Sequence, residues 1–127
     1  MSTILSPSTR LILAQLNTNK HLLSHAHPDG TQIIAEILAC FTTTHAAKTW
    51  YLLGTDGCHL CQIATQTVNQ ALSIITNPPT LATLDLSDSS DLLLVDMLGS
   101  SIPILIANNR LLCYPFGLMD ITQIINP

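Results

Sequence analysis

Cations are scarce in this chain. Arg10, Lys20, Lys48 and Arg110 are its only Lys and Arg residues in 127 positions, against eight acidic residues, for a formal net charge of −4. They are scattered, so no basic face is expected to track a phosphate backbone, and nucleic acid is not an expected partner. Long apolar runs are missing too. The run from Leu11 to Leu16 falls far short of the roughly 18 residues that suggest a membrane span, so no membrane segment is expected. Met1 to Arg10 has no basic stretch followed by an apolar one and a small-residue cleavage site, so export is not expected and the cytoplasm is the expected compartment. Aromatic residues make up only 4% of a chain that is 47% apolar, so the core must be built from Leu, Ile, Val and Ala. Such a core suits strands buried between layers of helix.

What is present divides near Lys48. The strand-like segment Thr49–Gly54 begins an α/β rhythm: Trp50-Tyr51-Leu52-Leu53 is short and apolar and stops at Gly54. From Cys58 to about Thr76, apolar residues at Ile63, Ala64, Val68, Ala71, Leu72 and Ile75 recur at helical spacing until Asn77-Pro78-Pro79. Leu81 to Leu86 alternates as a second strand. Ser87 to Ser90 offers caps for a helix running to Leu98, which Gly99 ends. Ile102 to Ala107 is predicted as a third strand and Leu111 to Tyr114 as a fourth, joined by a hairpin turn at Asn108-Asn109. A final helix is expected over Leu118 to Ile125. Right-handed crossovers would place the first strand beside both the second and the third, with the fourth antiparallel at an edge. The expected fold class is α/β, a four-stranded mixed sheet flanked by helices.

Residues 1–48 are predicted as an N-terminal helical extension to a domain of residues 49–127. Its helices are expected at Thr9 to Leu16 and Gln32 to Phe41, the second with Asp29 as a cap. His21, His25, His27 and His45 carry no accompanying carboxylate pattern and read as surface residues.

The chemistry concentrates at Cys58-His59-Leu60-Cys61, at the junction of a buried strand and a helix, where Gly54 and Gly57 let the loop turn. A thiol at a helix N-terminus meets the positive end of the dipole and unpaired N–H groups, which favour the thiolate. One turn later Cys61 falls on the same face. Cys58 would attack a disulfide and Cys61 would resolve the mixed intermediate. A cationic His59 would favour the thiolate, whereas Asp56 opposes a second negative charge, so a moderate thiol acidity is expected. Cys40 and Cys113 read as buried small hydrophobes.

Trp50 to Cys61, WYLLGTDGCHLC, resembles the first strand and active-site loop of glutaredoxins, most closely small bacterial glutaredoxin-like proteins with a G-C-H-L-C loop. Ser101-Ile102-Pro103-Ile104-Leu105 resembles the segment that carries a cis-proline beside the cysteines of thioredoxin-fold proteins, and Tyr114-Pro115-Phe116 with its short helix resembles that group's ending. The resemblance covers about residues 49–126. It implies a thioredoxin-like fold and a thiol/disulfide oxidoreductase with Cys58 and Cys61 catalytic. It further implies a cis Pro103 and a substrate-binding set of Gly57, His59, Ile102 and Pro103, with the Ile102 backbone offered to an extended substrate. The substrates would be protein or low-molecular-weight disulfides and the reductant thioredoxin-like or glutathione-type, with no bound cofactor. The family's basic residue before the first cysteine and its Gly-Gly turn are replaced here by Gly54-Thr55-Asp56 and Tyr114-Pro115-Phe116-Gly117. That replacement disfavours glutathione as a co-substrate.

Two other readings use the same residues. Cys40, His45, Cys58 and Cys61 are an acceptable zinc ligand set if the N-terminal helix folds over the site. Alternatively, the fold is a scaffold that binds protein partners through its N-terminal helices.

Overall fold

The computed structural model describes residues 4–25, 27–41 and 46–126. Among them the chain forms, in order, α1 (Pro7–Gln15), α2 (Gly30–Ala39), β1 (Thr49–Gly54), α3 (His59–Leu72), β2 (Thr80–Asp85), α4 (Leu92–Leu98), β3 (Ile104–Ala107), β4 (Arg110–Cys113) and α5 (Leu118–Ile125). The fold is α/β, with one four-stranded mixed sheet in the order β2-β1-β3-β4. No helix among the described residues is long and apolar enough to cross a membrane.

Strand alternation sorts the core into two layers, because successive side chains of a strand point to opposite faces. Tyr51, Leu53, Ile104, Ile106, Leu111 and Cys113 share one cluster with Leu13 of α1, Ile33 and Ile37 of α2, and Leu94 and Leu98 of α4. Trp50, Leu52, Leu105, Ala107 and Leu112 share the other with Val68 and Ala71 of α3 and Ile121 and Ile124 of α5. β1 is therefore buried on both faces, and helices cover both sides of the sheet.

The first strand lies beside the second and third as expected, but only one of those pairings is parallel. Thr49–Gly54 runs parallel to Thr80–Asp85, whereas Leu53 faces Ile104 and Tyr51 faces Ile106 in an antiparallel ladder. A parallel crossover would carry the chain back along the length of β2, about 20 Å for a six-residue strand. The seven residues of α4 span about 10 Å. The chain thus re-enters the sheet at the end where β1 leaves it, and no right-handed parallel crossover forms there. At the hairpin, Asn108 and Asn109 have φ of 49° and 61°, the two left-handed residues that a two-residue turn with the twist of its strands requires.

Other boundaries move for local reasons. α3 stops at Leu72 and not near Thr76: the Ser73 hydroxyl donates to the Gln70 carbonyl (2.7 Å), and Ile74 is 84% exposed despite its apolar character. α4 is capped by Asp91, whose carboxylate accepts from the Leu93 N–H (2.9 Å). Ser89 and Ser90, expected as caps, are engaged elsewhere. The Ser90 hydroxyl and N–H both donate to the carbonyl of Cys40 (3.0 and 2.8 Å). β3 begins two residues late, after Pro103, which has no N–H for a ladder.

The N-terminal segment is joined to the sheet by backbone as well as by the shared core: the Leu111 N–H donates to the Leu23 carbonyl (2.9 Å) at the β4 edge. Asp29 sits at the N-cap of α2 without a side-chain cap bond. Within the segment, Glu36 of α2 holds the start of α1. Its carboxylate accepts from the Ser6 N–H and hydroxyl, the Thr9 hydroxyl (3.0 Å) and the Gln32 amide (2.9 Å). Burial pushes its pKa up from the ordinary 4.5, but the hydrogen bonds from Ser6, Gln32 and Thr9 outweigh burial and leave it lowered. A lowered folded pKa means that this stabilisation is fully present above the ordinary value and is lost as pH falls through the folded one. Glu36→Ala is expected to cost about 1 kcal/mol at neutral pH. Urea unfolding should show the gap between variant and parent closing as the solution is acidified; a gap that is constant with pH contradicts this assignment.

Candidate functional site

β1 ends at Gly54, and the chain crosses Thr55, Asp56 and Gly57 before entering α3. Gly57 has φ +73°, a left-handed conformation that L side chains rarely adopt, and this places Cys58 at the N-cap of α3. The Cys58 sulfur takes the role usually filled by a Ser or Asp oxygen: it accepts from the Cys61 N–H at 3.1 Å. Cys58 and Cys61 are joined as a disulfide with Cα atoms 5.2 Å apart. Both residues are half-buried, while His59 and Leu60 between them are exposed.

Gly54 acts differently from the loop flexibility expected of it. It is a buried strand residue paired with Asp85, and a Cβ at this position would stand 2.7 Å from the Cys61 sulfur and 3.2 Å from its Cβ. Its lack of a side chain is what admits the disulfide against the end of the sheet.

A cleft of about 380 Å³ opens beside the disulfide on the β2 side. It is lined by Gly54, Asp56, Gly57, Cys58 and Cys61, by Gln62 and Thr65 of α3, and by Thr83, Leu84 and Asp85 of β2. It lies outside the carboxyl ends of the two parallel strands, where open α/β sheets generally bind ligands. Asp85 fixes the rim: its carboxylate accepts from the Ser87 hydroxyl (2.7 Å) and N–H (2.9 Å). These bonds, with one from the Asp56 backbone, hold its pKa below the ordinary 3.8.

Of the residues expected to meet substrate, Gly57 lines this cleft. His59 is on the exposed first turn of α3, and Ile102 and Pro103 lie on the other flank of β1. The Ile102–Pro103 bond is cis, and so is Tyr114–Pro115, which the sequence reading did not anticipate. Ile102 is half-buried against the core cluster under α1, α2 and α4, and the Pro103 carbonyl accepts from the Tyr114 N–H (3.0 Å). Gln62, Thr65, Thr83 and Asp85 line the cleft without a local signal in the sequence. β2 ends one residue before the expected Leu86, and its parallel register with β1 puts Asp85 beside Gly54.

Cys40 and Cys113 are free and buried. Burial, with the Asp91 carboxylate nearby, pushes the Cys40 thiol up to about 11, and burial raises Cys113 as well. The alternative zinc set is not assembled: Cys40 caps α2 with its thiol on the Glu36 carbonyl (3.4 Å), Cys58 and Cys61 are bonded to each other, and His45 lies outside the described residues. Among the described residues no three His, Cys, Asp or Glu side chains are grouped to hold a metal ion.

No family model, curated protein or solved structure matches the chain.

Gly54→Ala tests how the disulfide is seated. The added methyl meets a sulfur that cannot rotate away while it is bonded, so the oxidised protein should lose about 1–3 kcal/mol, read by denaturant unfolding. The reduced protein, whose Cys61 side chain is free to turn, should lose less. Equal loss in both states would mean that Gly54 does not serve the disulfide.

Proposed function

We propose that this protein is a glutaredoxin-like thiol/disulfide oxidoreductase with a thioredoxin-like arrangement of sheet and helices. The observation that carries the reading is the Cys58–Cys61 disulfide at the N-terminus of α3, half-buried and open to a cleft. The sheet order β2-β1-β3-β4, with one parallel and two antiparallel pairings, fits the arrangement that the resemblance implies.

In the reduced protein, the Cys58 sulfur faces the Cys61 N–H and the positive end of α3, both of which stabilise negative charge on it. The Cys58 thiolate attacks one sulfur of a substrate disulfide, expelling the other as a thiolate and leaving a mixed disulfide on Cys58. Cys61, one helical turn away, loses its proton and attacks the Cys58 sulfur, and the second substrate thiol leaves. Two electrons pass to the substrate, and Cys58 and Cys61 end oxidised. An external dithiol, thioredoxin-like or of glutathione type, closes the cycle. One half of the substrate occupies the cleft between α3 and β2; the other extends toward Ile102 and Pro103, where the Ile102 backbone offers a short strand-like pairing. Substrates of this class are protein or low-molecular-weight disulfides, and a reducing compartment such as the cytoplasm suits the reaction.

Cys58→Ser should abolish disulfide reductase activity, whereas Cys61→Ser should retain the attack and accumulate mixed disulfides on Cys58, visible by mass spectrometry. Full activity of Cys58→Ser, or no adduct on Cys61→Ser, overturns the assignment of roles.

A further inference from the structure

The charges around the cleft carry an inference about which disulfides it accepts. Among the described residues, every other cleft-lining side chain is apolar, absent, a cysteine of the disulfide or an uncharged hydrogen-bonding group; the two charged ones are Asp56 and Asp85, both negative. Asp56 is exposed on the loop two residues before Cys58, and Asp85 is half-buried beside it at the end of β2, with its carboxylate held ionised by Ser87 and the Asp56 backbone. Among the described residues, a substrate half seated here meets two carboxylates and no Lys or Arg. The remaining donors and acceptors, Thr55, Gln62, Thr65 and Thr83, suit amide or hydroxyl groups.

Resting on the oxidoreductase reading, we propose that the cleft selects disulfides whose seated half carries a positive charge, such as an amine-bearing thiol or a Lys- or Arg-flanked cysteine of a protein, and disfavours halves that carry carboxylates. Asp56 and Asp85 are the specificity-determining residues. Attraction to two carboxylates in a partly enclosed cleft raises the local concentration of a cationic substrate and depletes an anionic one. The exchange itself is unchanged: Cys58 bonds to the cationic half, the other half leaves as a thiolate, and Cys61 then displaces the bound half as its thiol.

The experiment compares the reduced full-length protein acting on cystamine, bis(2-hydroxyethyl) disulfide and dithiodipropionate, which carry positive, zero and negative charge. Each rate is divided by that of dithiothreitol with the same disulfide to remove intrinsic differences in leaving group. At low ionic strength the normalised rates should fall in that order, with about three- to tenfold between neighbours. The cystamine-to-dithiodipropionate ratio should drop toward one in Asp56→Asn, and further in Asp56→Asn with Asp85→Asn. It should also shrink in about 0.5 M salt in the parent protein, a readout that does not depend on any variant folding. A ratio near one in the parent, or a ratio that neither salt nor Asp56→Asn alters, overturns the proposal. Failure to reduce any of the three disulfides would instead strike the oxidoreductase reading on which it rests.

Discussion

The seating of the Cys61 sulfur against Gly54 ties the reactive end of the molecule to its core. β1 is packed on both faces, its Tyr51 and Leu53 against α1, α2 and α4 and its Trp50 and Leu52 against α3 and α5. Its last residue has no side chain, so α3 can begin within contact distance of the strand it follows. A side chain there would push the helix N-terminus, and with it both cysteines, away from the sheet. The left-handed Gly57 then turns the loop so that Cys58 becomes the cap of α3. Fixing one strand between two apolar layers thereby fixes the position of the disulfide.

The elements most legible in the sequence are those beside a turn or breaker residue. β1 is bounded by Lys48 at its start and Gly54 at its end, α5 follows Pro115 and Gly117, and the Asn108-Asn109 pair announces its hairpin. At α3 the apolar spacing runs through Ile75 to Asn77-Pro78-Pro79, yet the helix ends at Leu72 and Ile75 packs against the core from the turn beyond it. The cap of α4 is ambiguous in the sequence because several adjacent residues can cap equally well. Ser90 is withdrawn from the choice by Cys40, fifty positions away in the chain. The direction of β3 was also hidden, since it depends on how far a short helix can carry the chain.

The cysteine pair was legible because its spacing and its place between strand and helix are local facts. The cleft was not, because its walls come from α3 and β2, and only their pairing brings Asp85 to Gly54. Gly54 matters for the space it leaves at the Cys61 sulfur, which its place in the sequence does not display. The zinc alternative needed Cys40 at the site, and the fold spends that residue on ending α2 and holding Ser90. The segment before residue 49 contributes much of one core layer, which local periodicity can suggest but not place.

In the account built on this geometry, the acidic rim and the absence of a cation before Cys58 point away from a carboxylate-bearing tripeptide and toward partners of opposite charge. All of it depends on Cys58 and Cys61 exchanging two electrons reversibly with an external thiol pair. Equilibrating the protein across a dithiothreitol or glutathione redox series, followed by alkylation and mass spectrometry, measures this directly. The account predicts one two-electron transition in which Cys58 and Cys61 gain or lose two hydrogens together while Cys40 and Cys113 stay as free thiols. Absence of a Cys58–Cys61 bond at every poise would contradict it.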